Sequence, residues 1–164
     1  MKIIRAHRLD SLADYAVVQA PAPQAGPGEV RLKVVCAGVG YVDALSAIGG
    51  YQVKPPLPNT PGGELAGWVD SVGEGVEALA PGDRIMAMAR GAFAEVVAAP
   101  AAGVVKIPDA MSFEQAAGFR VNYLTALHGL EDRAALSPGE RLLVLGAAGG
   151  VGLAAVQIGA VMGA

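Results

Sequence analysis

Three kinds of feature are scarce or missing in this sequence, and each absence narrows the possible function classes. Cys36 is the single cysteine, so no internal disulfide can form, and a reducing, cytoplasmic setting is expected. The net charge is only −3 at pH 7 and no long basic run occurs, so nothing in the electrostatics favours a nucleic-acid partner. The first residues, Met1–Arg5, lack the long apolar core of a signal peptide.

The stretch Leu142–Ala164 contains no charged residue and is long enough to be considered as a membrane helix. Its glycine cluster begins within a few residues, at Gly146, and a strand-to-helix turn explains such a cluster better than a membrane span does. We therefore expect no membrane segment.

The part of the chain before about residue 110 is typical of a small barrel-like β domain. Three Pro-Gly pairs in the chain are followed by an acid: Pro27-Gly28-Glu29, Pro81-Gly82-Asp83 and Pro138-Gly139-Glu140. They predict type II turns into strands, because proline presets φ at the second turn position and glycine supplies a positive φ at the third. The expected strands are Met1–Ala6, Ala16–Val18, Val30–Cys36, Leu65–Val72, Arg84–Met88, Ala94–Val97 and Gly103–Lys106.

A helical region follows the β-rich part. Ser112 and Gln115 form a capping-box pattern at a helix start. Residues from Ala116 to about Arg133 have helical periodicity, interrupted near Gly118. This change of character predicts a domain boundary between residues 110 and 122, and we assign residues 1–118 and 119–164 to two domains.

The most informative run lies in the second of these domains. Arg141–Leu145 predicts a buried strand, and a glycine-rich turn and a helix start follow it. Doubly wound α/β domains hold the pyrophosphate of a dinucleotide in this way, because glycines let the backbone approach the phosphates and the helix N-terminus presents free N–H groups. The candidate cofactor-binding residues are Gly146, Ala148, Gly149, Gly150, Val151 and Gly152.

Four blocks of sequence, in order, resemble one known family. They are Gly38–Asp43, Tyr51–Pro58 with Pro61–Gly67, Val72–Val76 with Pro81–Arg84, and Gly139–Gln157. They are similar to the zinc-independent quinone oxidoreductases of the medium-chain dehydrogenase/reductase superfamily. The resemblance covers essentially the whole chain. It implies an α/β fold, with a GroES-like β-barrel domain followed by the first β-α unit of a Rossmann dinucleotide-binding domain.

The resemblance also implies a cofactor, an acceptor and site residues. The cofactor is NADPH, with NADH as the alternative, and the acceptor is a quinone or another conjugated carbonyl compound. Tyr51 matches a tyrosine that lines the nicotinamide cleft and is the first candidate catalytic residue. Thr125 matches a threonine on the nicotinamide side of the cofactor and is a cofactor-binding candidate. Asn122, one turn before Thr125, is a further cofactor-binding candidate.

The sequence departs from the family pattern at two positions. Ala160 stands where the glycine signature closes with lysine, arginine or serine. Gly40, a cofactor-binding candidate, replaces an asparagine expected near the nicotinamide, and Tyr41 beside it is a candidate catalytic residue that could supply the missing polarity. Asp43 is expected to cap the helix that follows. A purely structural role stays open for both tyrosines, Tyr41 and Tyr51, and for Thr125.

No metal site is expected. The zinc alcohol dehydrogenases of the same superfamily place a cysteine where Gly40 stands and a histidine where Gly63 stands. Catalytic zinc needs about three protein ligands, and glycine offers no ligand atom. A quinone accepts hydride readily, so the chemistry does not require a Lewis acid.

Two other functions stay open: an enoyl or alkenal reductase of the same fold, and a non-catalytic NADPH-binding or structural protein. The strand that selects NADP or NAD would begin after Ala164. We therefore expect these residues to be the first half of a protein that is about twice as long. The resemblance implies that the full-length protein is a homodimer. Alone these residues should be inactive, and Leu142–Val161 should expose apolar surface.

Overall fold

The computed structural model describes all 164 residues and divides them into two compact units, Met1–Ala117 and Gly118–Ala164. Unit 1 is mainly β-structure with two short helices, α1 (Tyr41–Ala47) and α2 (Phe113–Ala117). Single 3₁₀ turns lie at Leu12–Asp14 and Ala101–Gly103. The strands are β1 (Lys2–Arg5), β2 (Ala16–Gln19), β3 (Glu29–Ala37), β4 (Glu64–Val72), β5 (Arg84–Met88), β6 (Val96–Pro100) and β7 (Val104–Lys106).

Five of these strands form one antiparallel sheet in the order β6-β3-β4-β5-β7. The other two, β1 and β2, form a separate antiparallel ribbon, which touches the rest of the unit through a bridge between Ile3 and Ala94. The expected strands are confirmed, with ends shifted by up to three residues. The expected barrel is not closed, because the short strands β6 and β7 pair with β3 and β5 and not with each other.

The core of unit 1 lies on one face of this sheet. Leu32 of β3, Leu65 and Val69 of β4, and Ile85 of β5 are at most 2% exposed. Alternate residues of a strand point to opposite faces, so these side chains meet on one face. Ala66 of β4 is also buried, in a second cluster with Ala116 and Ala117 of α2. Burying such a side chain contributes about 1.5–3 kcal/mol, which makes this face the main source of stability for the loops that the sheet carries.

The Pro-Gly-acid turns form as expected, and the acid has a role that the sequence pattern did not indicate. In the second turn, Gly82 has φ +89° and Asp83 donates its N–H to the Ala80 carbonyl at 3.1 Å. The Asp83 carboxylate in turn accepts the Ala80 N–H at 2.8 Å, which closes the turn from both sides. Glu29 with Gly26 and Glu140 with Ser137 repeat this pair of hydrogen bonds.

Arg84 fastens the segment before α2 to the sheet. Its guanidinium donates to the carbonyls of Pro108, Asp109 and Met111 at 3.0, 3.1 and 2.6 Å, and it lies 4.8 Å from the centre of the Phe113 ring. The expected capping box at the start of α2 is also present. The Ser112 N–H donates to the Gln115 side chain at 3.0 Å, and the Gln115 N–H donates to the Ser112 hydroxyl at 3.2 Å.

Unit 2 contains α3 (Arg120–Leu127), a π-helical turn (His128–Arg133) and α4 (Gly150–Val161). The strand predicted at Arg141–Leu145 is wrong: unit 2 contains no β-strand. A strand requires a neighbouring strand to satisfy its backbone groups, and residues 118–164 supply none. Leu143 and Leu145 are accordingly 84% and 87% exposed, as the expectation of exposed apolar surface requires.

Candidate functional site

The glycine-rich turn of unit 2 leads directly into α4. Gly146 has φ +71°, and its carbonyl accepts the Gly149 N–H at 3.0 Å. Gly149 precedes the helix, and its carbonyl accepts the first helical hydrogen bond, from the Leu153 N–H at 2.8 Å. The N–H groups of the first helical turn, residues 150–152, therefore have no acceptor within the helix. Such a helix start attracts anions.

Gly152 allows the turn to fold back onto the helix. A Cβ atom at this position would lie 2.2 Å from the Gly146 carbonyl oxygen and 2.9 Å from the Ala147 Cα. These distances are well inside van der Waals contact with backbone atoms, so only glycine fits. Ala148, the remaining candidate of this run, is exposed in the turn between Gly146 and Gly149.

The structure brings Asn122 to the start of α4. A Cβ atom at Gly150 would lie 2.5 Å from the Asn122 Oδ1 atom, which places the side-chain amide of α3 directly against the first residue of α4. The Asn122 Nδ2 group donates to the Gly118 carbonyl at 2.8 Å, which fixes the orientation of the amide. Asn122 and the glycine turn thus form one local arrangement.

Thr125 is placed differently. Its hydroxyl donates to the Val121 carbonyl at 2.6 Å within α3, and its side chain is exposed. The hydroxyl hydrogen is therefore used inside the helix and not at the glycine turn.

Tyr123 is a structural residue that was not among the sequence candidates. Its ring stacks on Phe119 with 4.0 Å between ring centres, and its hydroxyl donates to the Gln157 side chain of α4. The i, i+4 spacing of two aromatic residues was the available signal. The contact holds α3 beside α4 and so keeps Asn122 at the glycine turn.

The second candidate region is an open cavity of about 420 Å³ in unit 1. Tyr51 lies in its wall and is half-buried, whereas Tyr41 is 79% exposed at the first turn of α1 and does not line the cavity. Asp43 lines the cavity and, as expected, caps α1, since its carboxylate accepts the Gly40 N–H at 2.8 Å. The other lining residues are Val42, Ser46, Val53–Thr60 without Leu57, Pro61, Gly62, Gly63, Arg90 and Gly91.

Two cations in this wall, Lys54 and Arg90, were not among the sequence candidates. The cavity is built from three separate stretches, residues 42–46, 51–63 and 90–91, and periodicity does not reveal that these meet. Buried Asn59, in the same wall, donates its side-chain N–H to the Tyr15 hydroxyl at 2.7 Å, which anchors the middle stretch.

The titratable side chains outside these two regions show no further site. No three His, Cys, Asp or Glu side chains of the chain are grouped so that they could hold a metal ion. Burial, and to a smaller extent the negative charge of Glu114, raise the pKa of the Cys36 thiol, which favours its protonated form. None of the helices combines the length and the apolar character that a membrane crossing needs.

Comparison with known families places unit 1. Residues 26–109, just over half of the chain, match the alcohol dehydrogenase GroES-like domain. The chain is 48% identical over 139 residues to the human synaptic vesicle membrane protein VAT-1 homolog, covering 84% of this chain and 35% of that protein. It is also 48% identical over 139 residues to the pikromycin polyketide synthase component PikAII of Streptomyces venezuelae, covering 85% of this chain and 4% of that protein.

Solved structures match both units. The quinone oxidoreductase from Thermus thermophilus, also solved with NADPH, has a TM-score of 0.86 and 36% identity, covering 99% of this chain and 51% of that one. The CurK enoyl reductase has a TM-score of 0.91 and 30% identity, covering 99% of this chain and 52% of that one. The chain thus spans about half the length of these structures and about a third or less of the two curated relatives. It belongs to the alcohol dehydrogenase GroES-like domain family of the medium-chain dehydrogenase/reductase superfamily.

Proposed function

We propose that this chain is part of an NADPH-dependent oxidoreductase that reduces a quinone without zinc. The observation that carries the proposal is the glycine turn at the start of α4, residues 146–152, which we call the glycine cradle. In it Gly152 packs against the Gly146 carbonyl, and the N–H groups of residues 150–152 have no acceptor within the helix. The likeness to the Thermus quinone oxidoreductase, which was solved in complex with NADPH, supports the same assignment.

The cradle fits a pyrophosphate in space and in charge. Cβ atoms at Gly150 and Gly152 would meet the Asn122 side chain and the Gly146 carbonyl, so only glycine at these two positions lets the turn pack this closely at the start of α4. No charged side chain occurs in residues 142–164, so no carboxylate of this stretch repels the anion. We assign pyrophosphate binding to the backbone of residues 146–152, with Asn122 holding the start of α4 in place.

The acceptor belongs, in this proposal, to the unit 1 cavity. The bound nicotinamide supplies the hydride, and the chain has to position the acceptor and exclude water. Tyr51 contributes a ring face to a planar acceptor and a hydroxyl donor to its developing oxyanion. Tyr41 stands outside the cavity, so we assign it a supporting polar contact only. Gly40 and Gly63 provide no side-chain ligand, which supports a reaction without zinc.

A second candidate function is enoyl reduction. Two findings favour it: the identity to a polyketide synthase component and the match to the CurK enoyl reductase. The same cradle serves both reactions, so the acceptor distinguishes them. Both reductions add one hydride from the nicotinamide and one proton. An enoyl group takes the hydride at its β-carbon and the proton at its α-carbon, whereas a quinone that has taken the hydride needs its proton at oxygen.

Cofactor binding is tested by titrating the 164-residue chain with NADPH and with NADH, following the fluorescence of the nicotinamide. We expect saturable binding of NADPH, and its loss in Gly150→Asp, since the new side chain meets Asn122 and adds a negative charge at the cradle. The matched control is Gly129→Asp, because a Cβ at Gly129 has no neighbour within 4 Å. Equal NADPH affinity in the two variants would refute the assignment of the glycine cradle as the pyrophosphate site.

The reaction is tested in the protein in which these residues adjoin a complete cofactor-binding domain. NADPH consumption with 1,4-benzoquinone, and none with an open-chain enone, supports the quinone proposal. Consumption with the enone alone assigns enoyl reduction, and binding without consumption of either acceptor assigns a non-catalytic role. We expect the 164 residues alone to bind but not to turn over.

The proposal includes three properties of the complete protein: domains at residues 1–118 and 119–164, a homodimer, and a cytoplasmic location. Limited proteolysis between residues 110 and 122 tests the domain limits, and sedimentation of the complete protein tests the dimer.

A further inference from the structure

We propose that the unit 1 cavity binds an anionic group, a phosphate or a carboxylate, carried by the hydride acceptor. This inference rests on the proposed function, since it narrows the acceptor from any quinone or conjugated carbonyl to one that bears a negative charge. It rests on four observations within unit 1: two unpaired cations, their fixed backbone, a compensated carboxylate and an apolar wall.

Lys54 and Arg90 are the cations of the cavity wall, and neither makes an ion pair or a side-chain hydrogen bond within the chain. Arg8, Arg31, Arg84 and Lys106 each have a carboxylate partner, whereas exposed cations such as Lys33 and Arg133 have none. What distinguishes Lys54 and Arg90, which are also exposed, is that both line the same cavity. The chain as a whole has a net charge of −3. A concave region that carries two uncompensated cations on an acidic protein attracts anions selectively.

The backbone around Arg90 is held beside the cavity by hydrogen bonds on both sides. The Ala89 N–H donates to the Gly63 carbonyl at 3.1 Å, and the Gly91 N–H donates to the Gly62 carbonyl at 3.1 Å. Gly62 and Gly91 have φ of +100° and +77°, which gives the two segments a tight, matched geometry. Arg90 is therefore presented at the rim by a rigid turn, and its planar guanidinium suits a bidentate contact with phosphate or carboxylate.

Lys54 stands at the start of a stiff stretch. Pro55 and Pro56 follow it directly, and a residue before proline is restricted to extended backbone. The one carboxylate of the wall, Asp43, already accepts the Gly40 N–H at 2.8 Å. Because that bond and the start of α1 compensate part of its charge, Asp43 does not neutralise both cations.

The other residues of the cavity wall indicate which kind of molecule carries the anionic group. Apolar atoms dominate the lining, from Val42, Val53 and a run of prolines, and the Tyr51 ring lies among them. A small inorganic anion would not cover the apolar lining, and an uncharged quinone would make no ion pair with Lys54 or Arg90. The ligand that satisfies both parts has an apolar, conjugated body and a phosphate or carboxylate group.

The test uses the ¹⁵N-labelled chain and three probes of similar size: phenyl phosphate, benzoate and benzyl alcohol. We expect both anions to shift the amide signals of Tyr51 and Gly91 and the neutral alcohol to have little effect. Arg90→Gln should weaken the preferred anion about fivefold, and the double change with Lys54→Gln about tenfold or more. The anionic probe that binds with the higher affinity, phenyl phosphate or benzoate, identifies the anionic group of the acceptor.

The control variant is Lys33→Gln, which removes an exposed cation of β3 outside the cavity wall. Equal losses in Lys33→Gln and Arg90→Gln, or equal shifts with benzyl alcohol, would overturn the inference. Failure of the proposed function is seen separately, as absence of NADPH shifts at Gly149–Gly152, while the anion shifts at Tyr51 and Gly91 depend on unit 1 alone.

Discussion

The substitution Gly152→Ala tests the glycine cradle with a single added methyl group. Its Cβ would lie 2.2 Å from the Gly146 carbonyl oxygen, whereas real Cβ contacts stay beyond 3.0 Å, so the turn has to move by nearly 1 Å. Overpacking of this kind costs about 1–3 kcal/mol. Alanine is favoured over glycine within a helix by about 1 kcal/mol. The net change in the free energy of unfolding is therefore small, about 0–2 kcal/mol of destabilisation.

Cofactor affinity should change much more than stability does. Binding groups must be held within about 0.5 Å of their productive positions, and the turn has to move further than that. We expect the affinity for NADPH to fall at least tenfold, as two or three charge-assisted hydrogen bonds weaken.

Gly129→Ala is the matched control, since a Cβ there meets nothing within 4 Å. Calorimetric titration gives the affinities and urea unfolding gives the stabilities. Gly152→Ala should be about 1–3 kcal/mol less stable than the control. If both variants bind NADPH as the unchanged chain does and unfold alike, the close packing of the turn on α4 does not matter and the reasoning fails.

Three further perturbations follow from other contacts. Asn122→Asp places a negative charge at the start of α4, so NADPH affinity measured by titration should fall at least tenfold while helix content by circular dichroism is kept. Arg84→Met removes the fastening of the segment before α2 and should cost about 2 kcal/mol in urea unfolding followed by the fluorescence of Trp68. Hydrogen bonds from Lys106, and then from the Ala80 N–H, lower the pKa of Asp83. Its contribution is therefore present above about pH 4 and lost as the pH falls through the lowered pKa, so Asp83→Asn should flatten the decline of melting temperature in acid.

Each of these expectations has a contrary result. Unchanged NADPH affinity in Asn122→Asp would separate Asn122 from the cofactor. Stability of Arg84→Met equal to that of Lys33→Met, a surface cation on β3, would show that the carbonyl contacts of Arg84 add nothing. An equally steep acid decline in Asp83→Asn would remove that carboxylate from the acid response.

Much of unit 1 could be predicted because its determinants are local. Pro-Gly pairs fix turns through φ alone, and the first residues after them alternate between less and more buried positions, as at the start of Glu29–Ala37. Closure of the barrel was not predictable in this way. Closure requires the two edge strands, β6 and β7, to pair with each other. In the structure β6 pairs only with β3, and β7 pairs only with β5.

The strand predicted at Arg141–Leu145 is a second case in which the outcome depends on a pairing partner and not on the local sequence. Its apolar run is a sound strand signal, but a strand exists only when another strand accepts its hydrogen bonds. The helical region predicted from Ala116 to about Arg133 is interrupted near Gly118, as expected, and its last part is a π-helical turn.

The candidate sites differ in the same way: some are local in sequence, and others depend on tertiary structure. The glycine turn is contiguous in sequence, so the helix start that follows it could be predicted from this run alone. The contact of Asn122 with Gly150 joins residues far apart in the chain, and the sequence had indicated Asn122 only by its position one turn before Thr125. Lys54 and Arg90 were missed because the cavity wall joins three stretches whose meeting depends on tertiary structure.

The most direct test of the central claim is a titration of the ¹⁵N-labelled chain with NADPH, followed by backbone amide shifts. The account predicts saturable shifts that are largest at Gly149–Gly152, with smaller shifts at Asn122 and none at the Gly28 and Gly82 turns. No saturable shift at Gly149–Gly152, or shifts of equal size at all three glycine turns, would contradict the assignment of this helix start as the pyrophosphate site.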